Sequence, residues 1–484
     1  MGRRGNARLT RADPHKRDIA MTIGSTGSSE VPLARALARS ALTVDLGRFD
    51  DTVIAKAKLC LLDFLSCAFE ARNHPWSRQA TGIAREVKDG ATIIGARALT
   101  SPGDAAFANA VMGHGLVRED MHAASICHHG VVIWPTLLAL SERTPLSGAT
   151  LLAAAIIGYE TGAQIGGALF NADLARLYRP TGLVAPIGTA LAGSFALRLG
   201  EDAATSAIAI AANTSSGLNE WPRAGGSEMY FHPGFAARNA IAAIELVEAG
   251  ARASETILEG EAGLFAAFRR QPAPAEIRLF AGAEPEIMAV YNKPAPACNF
   301  AQTAAQAALR AARELGPPED ITTISIHVPE AAARYPGCDS KGPFHNALQA
   351  KMSIPFSVAA VLARGALEEE NYADIGDLRI LRLVERIDLR IAPDLTAAFP
   401  ANQGAEIRVG LRNGTVVRHR LDNVIAATPE EIRARFRQAA SNVIGDRARD
   451  LEELIDNCAS LPDSRVIAAR CRPEPTGHRL WPAS

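Results

Sequence analysis

The sequence predicts a mainly α protein, a large all-helical domain carrying an inserted smaller α+β lid domain. Three observations lead there. From about residue 31 to 290, apolar residues recur at helical spacing with little period-two alternation. The composition is rich in alanine, 48% hydrophobic and only 5% aromatic, which suits closely packed helices around a large core. Clear alternation is confined to a later stretch, within 321–421.

Taken in order, residues 1–28 read as a disordered extension. They are basic and Ser/Gly/Thr-rich, lack the apolar run of a signal peptide, and include Met21 as an alternative start. Residue 6 is Asn, which does not suit myristoylation of Gly2. The helical domain is placed at 29–291. Within it, VIAKAKLCLLDFLSCAFEA (53–71) is an amphipathic helix. ATLLAAAIIGYETGAQIGGAL (149–169) reads as a buried core helix and not a membrane span, because Glu160 and Gln164 lie one turn apart inside it. GLVAPIGTALAGSFALRLG (182–200) forms the next, stopped by Gly200, and EDAATSAIAIAAN begins another. The α+β lid is placed at 292–426, with strands over 321–329 and 386–393 and a tight two-residue hairpin around Asn413-Gly414. Thr428 and Glu431 form a capping box for a helix over 428–441. Helices of 427–470 return to the large domain, and 471–484 is a tail.

Charge is nearly balanced, at 51 basic against 52 acidic residues, so nothing argues for a nucleic-acid partner. No segment argues for a membrane partner. The seven cysteines form no CxxC pair, as expected of a cytoplasmic protein without structural disulfides.

The polar centre of the chain is GHGLVREDMHAASICHHGVVIWP (113–135). It gathers Arg118, Glu119, Asp120, His122, Cys127, His128 and His129 where a loop enters an apolar helix. A helix N-terminus there offers free N–H groups to an anion. The spacing of the three histidines contains no i, i+4 pair, so no metal is expected. Residues 95–107 and 225–228 lack the pattern of a phosphate loop, so no cofactor is expected.

Seven landmarks in order resemble the MmgE/PrpD family over about 31–460. They are LCLLDFLSCAF (59–69), the 113–142 stretch, GYETG (158–162), RPTGLVAPIGTALAGSFALRLG (179–200), FHPGFAARNAIAAIELVEAGARA (231–253), KPAPACNFAQTAAQAAL (293–309) and AKMSIPFSVAAVLARG (350–365). The resemblance implies a helical body with a lid, a homodimer, and proton transfer beside a carboxylate. Several positions depart from the family pattern: Val117, Met121, Arg179, Met229, Gln302 and Phe356 stand where acid, threonine, histidine, lysine, histidine and tyrosine are usual.

His128 is the first candidate for the base, since imidazole titrates near neutrality. Lys293 is a second catalytic candidate, as base or carboxylate ligand. Asp120 orients a histidine, binds substrate or caps a helix, and His122 is either an acid/base or a loop support. For substrate binding the candidates are Arg179, an anion clamp but a poor base, with His129, His232 and Arg223. Cys127, Arg238, Tyr230 and Ser353 are weaker candidates. The expected activity is a cofactor-independent lyase, a dehydratase or decarboxylase of a small di- or tricarboxylate. An epimerase of an amino- or imino-dicarboxylate and an inactive carboxylate-binding relative are the alternatives.

Overall fold

The computed structural model describes residues 31–269 and 272–474, together with Gly2. Apart from Gly2, the extension expected over 1–28 lies outside the described residues, as does the tail beyond residue 474.

The helix Asp51–Ala71 begins where Asp50 caps it, its carboxylate accepting from Thr52 N and Val53 N, each at 3.0 Å. Its second half is buried almost throughout, and its sequence there is mostly apolar, with Asp63 and Ser66 buried among the apolar residues. The helix Gly148–Leu169 is capped by Ser147 and packs along Pro180–Ala196. The two cross so closely that a Cβ on Gly188 would lie 2.6 Å from the Gly158 carbonyl oxygen. Among the described residues no helix is long and apolar enough to cross a membrane. The expected stop at Gly200 is corrected. The helix ends at Ala196, Arg198 turns into the left-handed region at φ 55°, and Gly200 instead caps Glu201–Asn213.

The four-stranded sheet runs in the spatial order Ile387–Ile391, Ile321–Val328, Ala405–Leu411, Val416–Leu421. The first pair is parallel and the other two antiparallel. The hairpin turn is one residue longer than expected. Gly414 N bonds the Leu411 carbonyl at 2.9 Å and Leu411 N bonds the Thr415 carbonyl at 2.8 Å, with Gly414 at φ 86°. This is a three-residue loop with glycine in the left-handed position. The Thr428–Glu431 capping box forms as the sequence indicates, opening Pro429–Ile444, which packs on Asp51–Ala71.

Two large apolar cores result. One draws on residues 33–290 and 427–471, the other mainly on 295–421. The chain passes between them twice at one place, where Ala427 N bonds the Asn292 carbonyl at 2.9 Å. Val117, Trp221, Met229 and Tyr230 belong to the second core although they precede residue 290. The loop after His114 therefore lies where the cores meet.

Candidate active site

His114 closes the helix Pro102–His114, and the next loop is held from both sides. Two buried lysines grip consecutive carbonyls: Lys293 Nζ donates to Val117 O, and Lys351 Nζ donates to Leu116 O at 3.1 Å while pairing with Glu369 at 2.7 Å. Met121–His122 pairs antiparallel with Val290–Tyr291. Val117 and Ile126 take positive φ, 59° and 51°. For β-branched residues this is uncommon backbone, of the kind concentrated at working sites.

One network forms at the mouth of this loop. Glu119 Oε1 accepts from His114 Nδ1 at 2.5 Å and lies 3.0 Å from His128 Nδ1, which also bonds the Asp120 carbonyl at 2.8 Å. All of these partners are acceptors, so in both rings the proton belongs on Nδ1. His114 Nε2 then accepts from Arg179 Nη2 at 3.0 Å, with Met229 Sδ beside it at 2.7 Å. His128 Nε2 has no partner among the described residues, and the His128 main-chain N donates to Thr181 Oγ1 at 3.1 Å. Burial lowers the His114 pKa to about 4 and also lowers that of His128, with Glu119 pulling both the other way. Burial opposes ionisation of Glu119, but the two imidazoles outweigh it and hold the carboxyl well below its ordinary range. The arrangement is a neutral imidazole with a free basic nitrogen, steadied by a carboxylate.

A second network takes the other histidines. His122 bonds Ser125 Oγ and Glu286 Oε2, each at 2.8 Å. Ser125 Oγ meets His129 Nε2 at 3.0 Å, and Cys127 Sγ meets His129 Nδ1 at 3.3 Å. Every ring nitrogen is engaged, so His122 and His129 are not brought to the His128 cluster as the sequence suggested. Burial drives the His129 pKa well down. The Asp120 carboxylate also turns away, accepting from Tyr159 OH in a pocket that only glycine at 130 permits. A Cβ there would sit 2.5 Å from Asp120 Oδ2. Burial raises the Asp120 pKa to about 7, against the Tyr159 hydrogen bond. Asp120 caps no helix, and it serves His128 through its main-chain carbonyl.

Lys293 is fully buried and its pKa is lowered by burial, with Glu119 opposing. Its ammonium holds the loop carbonyl. His232 stands near Arg179 across Gly217, its Nδ1 unpartnered and its pKa lowered to about 3 by burial and then by Arg179. Arg223 is exposed on the short helix Trp221–Ala224 and is not among the residues lining the cavity. Arg238 pairs with Asp104 at 2.5 Å, and Ser353 caps Ile354–Arg364. Cys127 is buried with its thiol pKa pushed up. Among the described residues no three His, Cys, Asp or Glu side chains are grouped to hold a metal ion.

A cavity of about 30 Å³ lies where the cores meet, lined in part by Val117, Ile126, Arg179, Trp221, Met229 and Cys298. That is room for one or two waters.

Two sequence-family models match this chain: the MmgE/PrpD N-terminal domain over residues 35–276 and the MmgE/PrpD C-terminal domain over 295–461. The chain belongs to the MmgE/PrpD family. It is similar to the cis-aconitate decarboxylase of Aspergillus terreus, 32% identical over 223 residues, 44% of this chain and 45% of that protein. The match thus spans less than half the length of that relative. Human cis-aconitate decarboxylase is 25% identical over 449 residues, 87% of this chain and 91% of that protein. A mitochondrial 2-methylcitrate dehydratase of Yarrowia lipolytica is 34% identical over 132 residues, a quarter of each chain.

Within this MmgE/PrpD chain, sequence reasoning passed over His114 and Lys351, and it named Glu119 in the polar centre without giving it a role. His114 sits in the same polar stretch, five residues before Glu119, and that i, i+5 pairing across a helix end was the available signal. Lys351 had no such signal, since its partners Leu116 and Glu369 are remote in sequence. Two replaced positions are structural: Gln302 bonds the carbonyls of Ala295 and Ala297 at 2.9 Å, and Phe356 packs on Phe344 and Tyr372.

Proposed function

We propose that this MmgE/PrpD chain is a lyase that acts without a cofactor on a small di- or tricarboxylate, by dehydration or decarboxylation. The observation that carries the reading is the free Nε2 of His128, on a neutral ring whose Nδ1 is committed to Glu119 and the Asp120 carbonyl. Such a nitrogen removes a proton next to a carboxylate, and the resulting imidazolium is met by Glu119. Arg179, with its Nε unpartnered, is suited to hold the substrate carboxylate as charge develops on it. Lys293 keeps the loop in place. In this reading 29–291 and 427–470 form the body, 292–426 the lid, and the chain works as a cytoplasmic homodimer. The seven buried free thiols support a reducing compartment. The relatives' names support the lyase class.

The test is proton-exchange NMR in heavy water with citrate, methylcitrate, cis-aconitate and iminodisuccinate. Exchange with loss of water or carbon dioxide is expected. Exchange with inversion alone replaces the lyase by an epimerase, and silence across the panel overturns the reading.

A further inference from the structure

Seven cysteines are buried in this chain, and two of them meet. Cys298 Sγ lies 3.7 Å from Cys338 Sγ, across 40 positions of sequence. Cys298 precedes the turn Asn299–Ala301 that leads into the helix Gln302–Ala312, and its main-chain N donates to the Lys351 carbonyl at 2.9 Å. Cys338 lies in the loop between Glu330–Arg334 and Ala347–Met352, its carbonyl accepting from Ile354 N at 3.0 Å. Both cysteines are thus tied by their main chains to one short segment, 351–354, which holds them opposite each other.

The pair is asymmetric. Cys298 lines the cavity where the two cores meet, as does Arg179, whereas Cys338 is fully buried and is not among the lining residues. Cys298 is also the one thiol of the seven whose pKa is lowered. The Cys338 S–H does most of this against the cost of burial, helped by Phe300 N and by the charges of Lys293 and Arg179. Burial raises the pKa of the other six.

A sulfur with thiolate character and a second thiol in contact is the arrangement that small two-electron oxidants convert to a disulfide. The cavity beside Cys298, about 30 Å³, has room for one or two waters, and so for hydrogen peroxide, a molecule of two oxygens. We propose that Cys298 and Cys338 form a dithiol oxidised reversibly by peroxide, with Cys298 the attacking thiol and Cys338 the resolving one. The Cys298 sulfur attacks one peroxide oxygen. An S–O bond forms, the O–O bond breaks, and the departing hydroxide takes up the Cys298 proton as water. Arg179, in the same wall, has its Nε buried without a partner and offers that hydroxide a donor. The Cys338 sulfur then attacks the Cys298 sulfur. The S–S bond forms, the S–O bond breaks, and the second hydroxide leaves with the Cys338 proton. Two thiols have lost two electrons and peroxide has become two waters. The sulfurs close from 3.7 Å to about 2.05 Å. The step needs neither His128 nor a carboxylate substrate, so it stands apart from the proposed lyase.

Hydrogen peroxide treatment of the reduced full chain tests it, followed by quenching, alkylation in denaturant and peptide mapping. Wild type is expected to lose two of its seven alkylatable thiols and to yield one peptide pair joined through Cys298 and Cys338. Dithiothreitol is expected to restore both thiols. In Cys338→Ser the sulfenic acid on Cys298 has no resolving partner and is expected to be labelled by dimedone. In Cys298→Ser the Cys338 thiol is expected to stay reduced under the same exposure. The wild-type map decides by itself if either variant fails to fold. No loss of thiols, a bridge between other cysteines, or a bridge that forms only in the urea-unfolded chain overturns the proposal. Dimedone labelling of Cys338 in Cys298→Ser, with none of Cys298 in Cys338→Ser, overturns it as well.

Discussion

His128 and His129 are neighbours in the chain yet end in different networks, because the helix Gly130–Arg143 begins immediately after them. His129 already has helical dihedrals, φ −71° and ψ −41°, and successive helical side chains point roughly 100° apart. His128 turns toward Glu119 and the His114 ring, while His129 turns toward the helix Gly148–Leu169. In the His129 network each ring nitrogen has a partner, so neither imidazole there is open to a substrate. In the His128 network one imidazole nitrogen and one guanidinium N–H are uncommitted. Buried polar groups in folded proteins are normally satisfied, so the unfinished network is the one built for a ligand. Proximity in sequence and similarity of residue type carried no information about this distinction.

The largest expected difference between the two networks is catalytic. His128→Gln removes the base and is expected to lower the exchange rate by about 10²–10⁴. His129→Gln is expected to leave exchange within a few-fold of wild type and to cost roughly 1–3 kcal/mol of stability, since Ser125 and Cys127 lose their common partner. Exchange rates with urea unfolding of both variants check this. Equal catalytic losses would erase the comparison.

The legible and illegible parts of the molecule divide on the same physical line. Local chemistry announced itself: the Thr428–Glu431 capping box, the Asn413-Gly414 turn and the long helices beginning at Asp51 and Gly148 each depend on residues within a few positions of one another. The polar stretch of 113–135 was also visible, because titratable residues there are dense against an alanine-rich background. Which histidine faces which network was not, since it depends on contacts with Arg179, Gly162 and Glu286 at long range. Lys293 shows the limit most clearly. The sequence offered it as a base or carboxylate ligand, and the structure directs its ammonium to a main-chain carbonyl 176 positions away.

A second contrast concerns acid. His114 sits buried and neutral in the open network with its pKa lowered to about 4, whereas an unfolded histidine titrates near 6.5. A group whose folded pKa is depressed below its unfolded value makes the unfolded chain the better proton binder between the two. Stability is therefore full above about pH 6.5 and is lost as pH falls toward 4, by about 3 kcal/mol for this group. His232, lowered to about 3 by burial first, acts in the same direction. Urea titrations between pH 7 and 4 should show the loss, and His114→Gln should flatten it. A slope unchanged by His114→Gln would mean that the ring is already protonated in the fold, paired as a cation with Glu119.

The smallest effect is the most selective. Gly162 faces the closed network, and a Cβ there would lie 2.6 Å from His129 Nδ1 and 2.7 Å from Cε1. The Gly162 main-chain N also lies against Gly188 of the neighbouring helix, so the backbone has little freedom to retreat. Gly162→Ala must push the imidazole off Cys127 and Ser125, an overpacking cost of roughly 1–3 kcal/mol that the better helix propensity of alanine only partly offsets. Because His128 is anchored through Glu119 and the Asp120 carbonyl and not through His129, exchange activity in the folded variant is expected to stay near wild type. A thermal melt and an exchange assay on the same preparation separate the two effects. If activity falls with stability unchanged, displacement of His129 is being transmitted along the main chain to His128, and the two networks work as one.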